Sequence, residues 1–424
     1  MNNLRPAVPV LRAGITLLLT LLCSLYAFRA AAYDEMGATA DDADIVVGCL
    51  FPMSGRAGVL GRDSVVGIKL GLEYLAREPG NWPKLRVVLG DTKSKRATAV
   101  GVAERFINDY SAGFLCGVVN SSVAVEVSEL SRERGVIMIG TDHASSRLTG
   151  ELLHKGYFRV TNDSWQSMAA GALYVKERFA DTLARRPLSL AYLGPDYEYG
   201  YQVWSDFRSA LDRFGVPYEV VRVLWPNLNE PDYSRYISEL ISAKPDLVVN
   251  SLWGGDIVAF VNQAIETPLF KTTTFANFEK GGDYEIFSQL GAKMPQGLLL
   301  SSRHHVNWPD TELNRWFVNQ FHNETGYFPS SGAEGAFAGI LAIAQAGRAV
   351  GPPYNDREAL IAALEGMKIK LPEDPDGFTS TIDPVTHQIQ QVMAVGETVE
   401  NRAYPPARVM LGNWRVYYPR DLER

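Results

Sequence analysis

The sequence has 424 residues, of which 46% are hydrophobic and 21% are charged. This balance is typical of a globular protein and excludes disordered and collagen-like chains, and the length is sufficient for two domains. The 48 acidic residues outnumber the 41 basic ones, so the net charge is −7. An acidic chain is not expected to coat nucleic acid or an anionic membrane, because those partners attract positive charge.

The N-terminal segment is typical of a secretory signal peptide. Two arginines precede an apolar run over residues 13–28, and three alanines ending at Ala32 follow it. The run is shorter than the roughly 20 residues that span a bilayer. We therefore predict export with cleavage after Ala32, which removes residues 1–32 and leaves a net charge of −10. Cys23 is preceded by leucine rather than by a small residue, so a lipid anchor is not expected.

From residue 43 onward, strand-like runs alternate with helical patterns. Residues 45–51 form a continuous apolar run, which is typical of a strand covered on both faces. In this part of the chain we predict strands at 45–51, 85–89, 113–119 and 136–140, and helices around 65–75, 102–110 and 123–134. Such a repeat over 43–157 predicts a parallel sheet with helices on both faces.

The same alternation begins again near residue 160. We predict strands at 188–193, 218–224, 246–251, 272–275 and 297–301, and helices at 164–179, 203–214, 233–243, 257–265, 311–324 and 331–350. Residues 377–418 alternate like further strands. No low-complexity linker separates the two halves, so we expect two α/β lobes joined by strands rather than by a flexible tether.

Two cysteines, Cys49 and Cys116, remain after the predicted cleavage, and both lie in predicted strands. An even pair in an exported protein can form a disulfide. Neighbouring parallel strands, however, seldom offer the geometry that a disulfide needs. We therefore favour the interpretation as two buried thiols, and the sequence leaves the disulfide open as the alternative.

Four segments, taken in order, resemble the motifs of one known family. They are VGCLFPMSG at 47–55, GVVNSS at 117–122 followed by GVIMI at 135–139, PDYEYG at 195–200, and IDPVTHQ at 382–388. Their order and spacing match over nearly the whole chain after residue 32. On these motifs the chain resembles the type I periplasmic solute-binding proteins of ABC importers, in the branch that binds leucine, isoleucine and valine, amides or urea.

The resemblance implies two doubly wound parallel-sheet lobes, joined by three hinge strands, that close on a small ligand. The first lobe would comprise 43–160 and 285–380, and the second 161–284 and 381–424. It further implies a periplasmic monomer that needs no cofactor, has no nucleic-acid partner, and passes its ligand to an ABC permease in the inner membrane.

Candidate ligand contacts on the first lobe follow the ends of strands, where doubly wound sheets bind ligands. Ser121 and Ser122 begin a predicted helix, whose free N–H groups suit a carboxylate, although Ser121 could simply cap that helix. Asn120 and Ser54 lie in adjacent turns and are further candidates.

The loop at 140–146 contributes four more candidates. By the resemblance, Ala144 and Ser145 match positions that face a ligand carboxylate. Asp142 and His143 depart from the pattern of amino-acid binders. These two side chains either contact a ligand that carries a donor group or form only local caps and pairs.

On the second lobe, the resemblance places Tyr199 and Trp253 at aromatic ligand contacts, although either ring could belong to the core. Amino-acid binders also carry an acid that meets the ligand's ammonium. The matched position here is Asn277 or Phe278, and Glu279 is the nearby acid. If Glu279 points elsewhere, an amide, a carboxylate or an aromatic acid would fit better than a free amino acid, because an unpaired buried charge costs several kcal/mol.

The sequence shows none of the common motifs of metalloproteases, serine hydrolases, P-loop enzymes or dinucleotide-binding enzymes, and its six histidines have no metal-binding spacing. We therefore expect neither catalysis nor a metal site. The predicted function is capture of a small polar or amphipathic ligand, similar to a branched-chain amino acid, for an ABC importer. The alternative is a binder of an amide, urea or aromatic carboxylate, or a periplasmic sensor of such a ligand.

Overall fold

The computed structural model describes residues 34–55 and 57–423. The predicted signal peptide, residues 1–32, lies outside these ranges. Within them, every helix is too short or too polar to cross a bilayer. The strands in chain order are β1 (Asp34–Gly37), β2 (Ile45–Phe51), β3 (Leu85–Asp91), β4 (Phe114–Gly117), β5 (Ile137–Gly140), β6 (Tyr157–Arg159), β7 (Leu188–Leu193), β8 (Tyr218–Leu224), β9 (Leu247–Asn250), β10 (Thr274–Asn277), β11 (Leu299–Leu300), β12 (Lys368–Ile369), β13 (Ser380–Ile382), β14 (Ile389–Gln390), β15 (Met393–Glu400) and β16 (Val409–Tyr417).

The described helices alternate with these strands. They are α1 (Gly58–Arg77), α2 (Arg96–Tyr110), α3 (Ser121–Arg134), α4 (Ser164–Arg178), α5 (Ala180–Leu183), α6 (Glu198–Arg213), α7 (Ser234–Ala243), α8 (Gly255–Ala264), α9 (Leu269–Thr272), α10 (Tyr284–Leu290), α11 (Glu312–Thr325), α12 (Ser331–Val350) and α13 (Arg357–Leu364). Short 3₁₀ turns occupy Ser146–Thr149, Gly291–Lys293 and Pro419–Asp421.

The described strands form two main sheets. The first has the order β1-β3-β2-β4-β5-β6, and the strands from β2 to β6 pair in parallel. The second has the order β16-β15-β11-β10-β9-β7-β8, and it is parallel from β7 to β11, with β15 and β16 antiparallel at one edge. Strands such as β2 are buried on both faces, which explains their continuous apolar sequence. The mainly parallel α/β fold that the sequence predicted is confirmed.

The first sheet with its helices forms the first lobe, and the second sheet with its helices forms the second lobe. The chain crosses between the sheets after β6, after β11 and before β15. At two of the crossings the segments lie side by side, because Arg159 bridges to Gln388 and the Gln388 amide donates to the Thr161 carbonyl (2.7 Å). The exact lobe boundaries stay a prediction. β11 pairs within the second sheet, although it falls in the range 285–380 that was expected in the first lobe.

Helix α12 packs closely against α1, which brings a segment from late in the chain onto the first lobe. The contact depends on small residues, because a Cβ added to Gly67 would collide with the backbone of Ala333. The alanine- and glycine-rich sequence of α12 is buried along most of its length. Its N-terminal end lies beside the first turns of α1 and the loop that follows β5, because Cβ atoms added to Gly332 and Gly335 would meet the Leu60 and Thr141 carbonyl oxygens.

Cys49 and Cys116 form a disulfide, so the interpretation as two buried thiols is wrong. β2 and β4 are hydrogen-bonded neighbours, and these two residues lie directly opposite each other in the register. Their Cα atoms are 4.5 Å apart, which is within the range that a disulfide bridges. Disulfides between neighbouring parallel strands are rare, but the sequence alone does not reveal the register that places these two cysteines opposite each other.

Most predicted elements lie within a few residues of the observed ones, and the exceptions are local. The predicted strand at 272–275 is displaced to β10, because residues 269–272 form the short helix α9. The predicted strand at 297–301 is reduced to the two residues of β11. The sequence also failed to predict α10 and α13, which are only seven and eight residues long.

Breaking the disulfide is expected to lower the free energy of unfolding. The two cysteines are 67 positions apart, and closing a loop of that length in the unfolded chain stabilises the fold by roughly 4 kcal/mol. Guanidinium unfolding of Cys49→Ala/Cys116→Ala would measure the loss, and Cys49→Ala alone should lose a similar amount because it breaks the same bond. Two thiols titrating in the unfolded, unreduced protein would contradict the disulfide.

Candidate functional site

The two lobes meet through loops that follow the carboxyl ends of their strands. The loop after β5 on the first lobe contacts the loops after β10 and β11 on the second. The same first-lobe loop also contacts the start of α6, where the Ser145 hydroxyl donates to Glu198 (2.9 Å). This junction is the edge at which doubly wound sheets bind ligands.

A buried network of charged side chains joins the lobes at this junction. Asp142 Oδ1 accepts hydrogen bonds from Lys280 Nζ (2.8 Å) and Arg303 Nη1 (2.9 Å), and Arg303 Nη2 donates to Glu279 Oε2 (2.6 Å). None of the four side chains is more than 5% exposed. Asp283, also buried, lies 3.6 Å from Lys280. Buried ions cost several kcal/mol each unless they are paired, and here two cations meet three acids.

The network keeps the Arg303 guanidinium charged and provides a hydrogen-bond donor to the Glu279 carboxylate. Burial alone would lower the pKa of the Arg303 guanidinium, but Glu279 and Asp142 outweigh that effect and hold the pKa above its usual value. The other oxygen of Glu279 accepts a hydrogen bond from the Ser167 hydroxyl (2.5 Å). Both oxygens of the Glu279 carboxylate therefore already have partners within the protein.

Several buried polar atoms at the junction have no hydrogen-bond partner within the described part of the chain. They include Asp142 Oδ2, Arg303 Nε, the Tyr199 hydroxyl and Thr141 Oγ1. Burial, helped by the negative charge of Glu279, raises the pKa of Tyr199, so its hydroxyl stays protonated and can donate. Buried polar groups rarely lack a partner, so these atoms are candidates to bond a ligand or ordered water.

The four predicted contacts in the turns after β2 and β4 have different surroundings. Asn120 caps α3, since its Oδ1 accepts from the Val123 N–H (3.2 Å). Ser121 Oγ accepts from the Ser145 N–H (3.3 Å), so it joins the loops after β4 and β5, while Ser122 is half-buried. Ser54 is exposed, and its hydroxyl donates to an Asp91 carboxylate oxygen (2.7 Å).

The neighbouring residues His143 and Ala144 are buried and make local contacts. His143 Nδ1 lies 3.1 Å from the Val118 carbonyl oxygen, and Nε2 lies 2.6 Å from the Tyr157 hydroxyl. Burial, together with the charge of Arg159, lowers the pKa of His143 well below its usual value, so the ring is neutral. These contacts correspond to the local-pairing alternative for His143, whereas Asp142 takes part in the network between the lobes.

On the second lobe, Trp253 lies beside the junction. Its Nε1 donates to the Tyr197 hydroxyl (3.1 Å). Trp253 and Ser54 both line a cavity of about 230 Å³, so residues from both lobes form its walls. This cavity brings together two of the predicted contacts that are far apart in the sequence.

Asn277 shapes the loop that carries the two charged residues after β10. Its Oδ1 accepts hydrogen bonds from the backbone N–H groups of Glu279 (3.2 Å), Lys280 (3.1 Å) and Gly281 (2.9 Å). Its Nδ2 donates to the Leu252 carbonyl (2.8 Å). All its side-chain contacts are thus internal ones that position the loop.

The sequence analysis missed Lys280 and Arg303. Both follow the ends of strands, β10 and β11, so the rule that selected the other candidates could have selected them. The motifs gave no reason to look there, and the pairing with Asp142 depends on contacts across 138 and 161 positions of sequence.

A second, larger cavity of about 1040 Å³ opens beside the first, and the two share Gly255 in their walls. We call it the lateral groove. Its lining residues come from both lobes and are Val59, Arg62, Asp63, Glu230, Pro231, Gly255, Val258, Ala259, Tyr284, Glu285, Ser288, Gln289, Tyr327, Phe328 and Pro406. Among the residues that the structure describes, no group of histidine, cysteine or acidic side chains is arranged to hold a metal ion.

Two acids of the lateral groove have raised pKa values. Burial raises the pKa of Asp63 to about 6, against the effect of hydrogen bonds from Ser330 and Tyr327. Burial also raises the pKa of Glu285 to about 8. Asp283, Asp63 and Asp142 add to the rise at Glu285, and Lys280 opposes it.

Removing the charge of Asp142 is expected to destabilise the protein. Asp142→Asn removes the anion closest to Lys280 and leaves Lys280 with Asp283, 3.6 Å away, so the loss should stay below the about 3–5 kcal/mol of a fully unpaired buried charge. In a double-mutant cycle with Lys280→Met, the two losses should not add, because Asp142 and Lys280 interact directly. Urea unfolding would measure all four proteins.

The exposed ion pair of Glu129 and Arg132 supplies the control for this cycle. Glu129→Gln should leave the unfolding midpoint unchanged, since exposed pairs contribute little. Additive losses in the cycle would show that Asp142 and Lys280 do not interact.

Neutralising Glu285 is expected to stabilise the protein at high pH. A raised pKa means that the folded state binds the proton more tightly, so stability is present below pH 4.5 and is lost as the pH rises toward about 8. Glu285→Gln should remove that loss, and one pKa unit corresponds to about 1.4 kcal/mol. Melting curves across this range should converge with the wild type at acidic pH. The exposed Glu266→Gln is the matched control, and parallel curves for Glu285→Gln and wild type would contradict the burial effect.

Comparison with known proteins gives a consistent result. A family model described as periplasmic binding protein matches residues 44–403. Leu/Ile/Val-binding protein homolog 2 of Brucella abortus (strain 2308) is 25% identical over 351 residues, which is 81% of this chain and 86% of that protein. Homolog 7 of the same strain is 28% identical over 235 residues, covering 55% of this chain and 58% of that protein.

Solved structures share the fold. A solute-binding protein of an ABC transporter from Rhodopseudomonas palustris BisB5, in complex with 3,4-dihydroxybenzoic acid, superposes with a TM-score of 0.75 at 20% identity, covering 88% of this chain and 97% of that one. An ABC-type branched-chain amino acid transporter protein from Rhodopseudomonas palustris CGA009 gives a TM-score of 0.70 at 19% identity, covering 89% and 98%. With the family model matched over most of its length, and with two lobes meeting at their strand ends, the chain belongs to the periplasmic binding protein family.

Proposed function

We propose that the protein captures a small polar or amphipathic ligand between its lobes and delivers it to an ABC permease. The observation that carries this proposal is the set of buried, unpartnered polar atoms at the lobe junction, on Thr141, Asp142, Tyr199 and Arg303. They lie where a hinge motion would open and close the site, since the chain crosses between the sheets three times. Open lobes would admit the ligand, and contacts with both lobes would favour closure.

The charges at the junction disfavour an anionic ligand. Lys280 and Arg303 face three buried acids, Asp142, Glu279 and Asp283, so a ligand with a net negative charge would be buried without compensation. The free atoms include an acceptor, Asp142 Oδ2, and a donor, Arg303 Nε. A zwitterionic amino acid such as leucine, or an amide, has the matching donor and acceptor groups.

This pairing differs from the one expected from the motifs. Glu279 already bonds Arg303 and Ser167, so we propose that Asp142 rather than Glu279 meets an ammonium or amide N–H. The relatives named as Leu/Ile/Val-binding homologs agree with an amino acid. Neighbours in complex with hydroxylated benzoic acids make an aromatic carboxylate the second candidate, which would bring an uncompensated negative charge.

The cellular setting belongs to the same proposal. We propose that cleavage after Ala32 releases the mature chain to the periplasm, where it acts as a monomer and docks on a permease in the inner membrane. The periplasmic binding protein family and its ABC-transporter members support this setting. A sensory role would instead require that the closed protein binds a receptor domain.

A thermal-melt screen of residues 33–424 is expected to show a shift with leucine, valine or a short amide. A ligand at about 100 times its dissociation constant adds roughly 2.7 kcal/mol of stability. Urea and 4-hydroxybenzoate complete the panel. A shift with 4-hydroxybenzoate alone would contradict the charge argument, and no shift with any compound would contradict capture of this ligand class.

Tyr199→Phe tests the site directly. Because the Tyr199 hydroxyl has no partner in the described chain, its removal should not lower the melting temperature, but it should weaken the ligand found in the screen about tenfold. Tyr192→Phe is the matched control, since the Tyr192 hydroxyl bonds Gly200 O (2.7 Å) and Ser251 Oγ (2.6 Å). That variant should lose about 1 kcal/mol of stability. Unchanged affinity in Tyr199→Phe would place the ligand elsewhere.

A further inference from the structure

The lateral groove adjoins the smaller cavity at Gly255 but is lined by a different set of residues. Its described lining residues include none of the twelve positions predicted from the sequence, nor Lys280 or Arg303. Its volume of about 1040 Å³ is at the upper end of the range for small-molecule sites, roughly 300–1,000 Å³. The groove can therefore hold a compound larger than an amino acid.

Glu285 is the central observation. Its side chain lines the groove, and only 9% of the residue is exposed. Within the described residues its carboxyl group makes no hydrogen bond and no ion pair, and it lies against Gly254 at the start of α8. A carboxylate in such surroundings is destabilised unless a cation joins it.

Most charged residues around Glu285 are acidic, although Lys280 opposes their effect on it. The described lining also carries Asp63 and Glu230, together with Arg62, whose Nη1 donates to the Met53 carbonyl (3.2 Å). Asp63 is close enough to raise the pKa of Glu285, and its own oxygens accept hydrogen bonds from the Tyr327 hydroxyl (2.7 Å) and the Ser330 N–H (3.2 Å). Asp63 thus contributes negative potential, while the Glu285 carboxyl group is free to pair.

The remaining walls are apolar and aromatic. Val258 and Ala259 come from α8, and the rings of Tyr284 and Phe328 pack edge to face with centroids 5.2 Å apart. Rings and aliphatic side chains of this kind cover the apolar body of a ligand. Aromatic faces also attract cations, which adds to the effect of the acids.

We propose that the lateral groove is a second binding site, which takes an amphipathic organic cation with an aromatic or aliphatic body and a protonated amine that pairs with Glu285. The acid lies on α10 of the second lobe, and Asp63 lies on α1 of the first, so a bound cation contacts both lobes. This proposal does not depend on which ligand binds at the lobe junction.

The test uses phenethylamine and its neutral counterpart 2-phenylethanol, measured by isothermal titration calorimetry on residues 33–424 at a pH above 8, where the Glu285 carboxyl group is ionised. We expect phenethylamine to bind and 2-phenylethanol to bind at least about tenfold more weakly. Glu285→Gln, which removes the charge with little change in shape, should abolish the preference for the amine. Glu266→Gln, which removes one exposed acid outside the groove, should bind phenethylamine like the wild type.

Two further variants locate the site. Val258→Trp should block phenethylamine by filling the groove, and Tyr199→Phe should leave it unaffected because that residue lies at the junction. Equal binding of the amine and the alcohol, unchanged amine binding in Glu285→Gln with a normal melting curve, or no amine binding at millimolar concentration would each overturn the proposal. Loss of amine binding in Tyr199→Phe would place the amine at the junction and also overturn it.

Discussion

The junction between the lobes depends on one buried carboxylate, Asp142, which accepts hydrogen bonds from Lys280 and Arg303. The anion belongs to the first lobe and both cations follow strands of the second. Burying these ions costs hydration free energy, and this cost offsets much of their mutual attraction, because the ions would be hydrated again if the lobes separated. The charges at the junction therefore orient the two lobes relative to each other while contributing little net attraction.

The loops at the junction are fixed by contacts farther back in each lobe. On the first lobe, the disulfide of Cys49 and Cys116 ties β2 to β4 one residue before β4 ends. On the second, Asn277 Oδ1 accepts hydrogen bonds from three backbone N–H groups and so fixes the conformation of the loop that carries Glu279 and Lys280. Rigid support of this kind keeps the charged side chains in place while the lobes move.

Buried acids without a cation are concentrated around this junction. Glu285 lies in the lateral groove, and Glu334, near the start of α12, has neither carboxylate oxygen bonded within the described chain. Burial raises the pKa of both groups, which lowers the stability of the fold at neutral pH. Perturbed acids of this kind cluster at functional sites, and the groove and junction are where a ligand can compensate them.

The sequence by itself determined the strand–helix alternation, because buried parallel strands leave continuous apolar runs such as Ile45–Phe51, and amphipathic helices leave a periodic pattern. It also predicted a ligand site at the strand ends, with Asp142, Tyr199 and Trp253 among the candidate contacts. Only the tertiary structure decided the disulfide, the pairing of Asp142 with Lys280 and Arg303, the local contacts of His143, and the burial of Glu285 in the wall of the lateral groove. Each of these depends on register or on packing between segments far apart in the chain, and local sequence patterns contain no information about such distances.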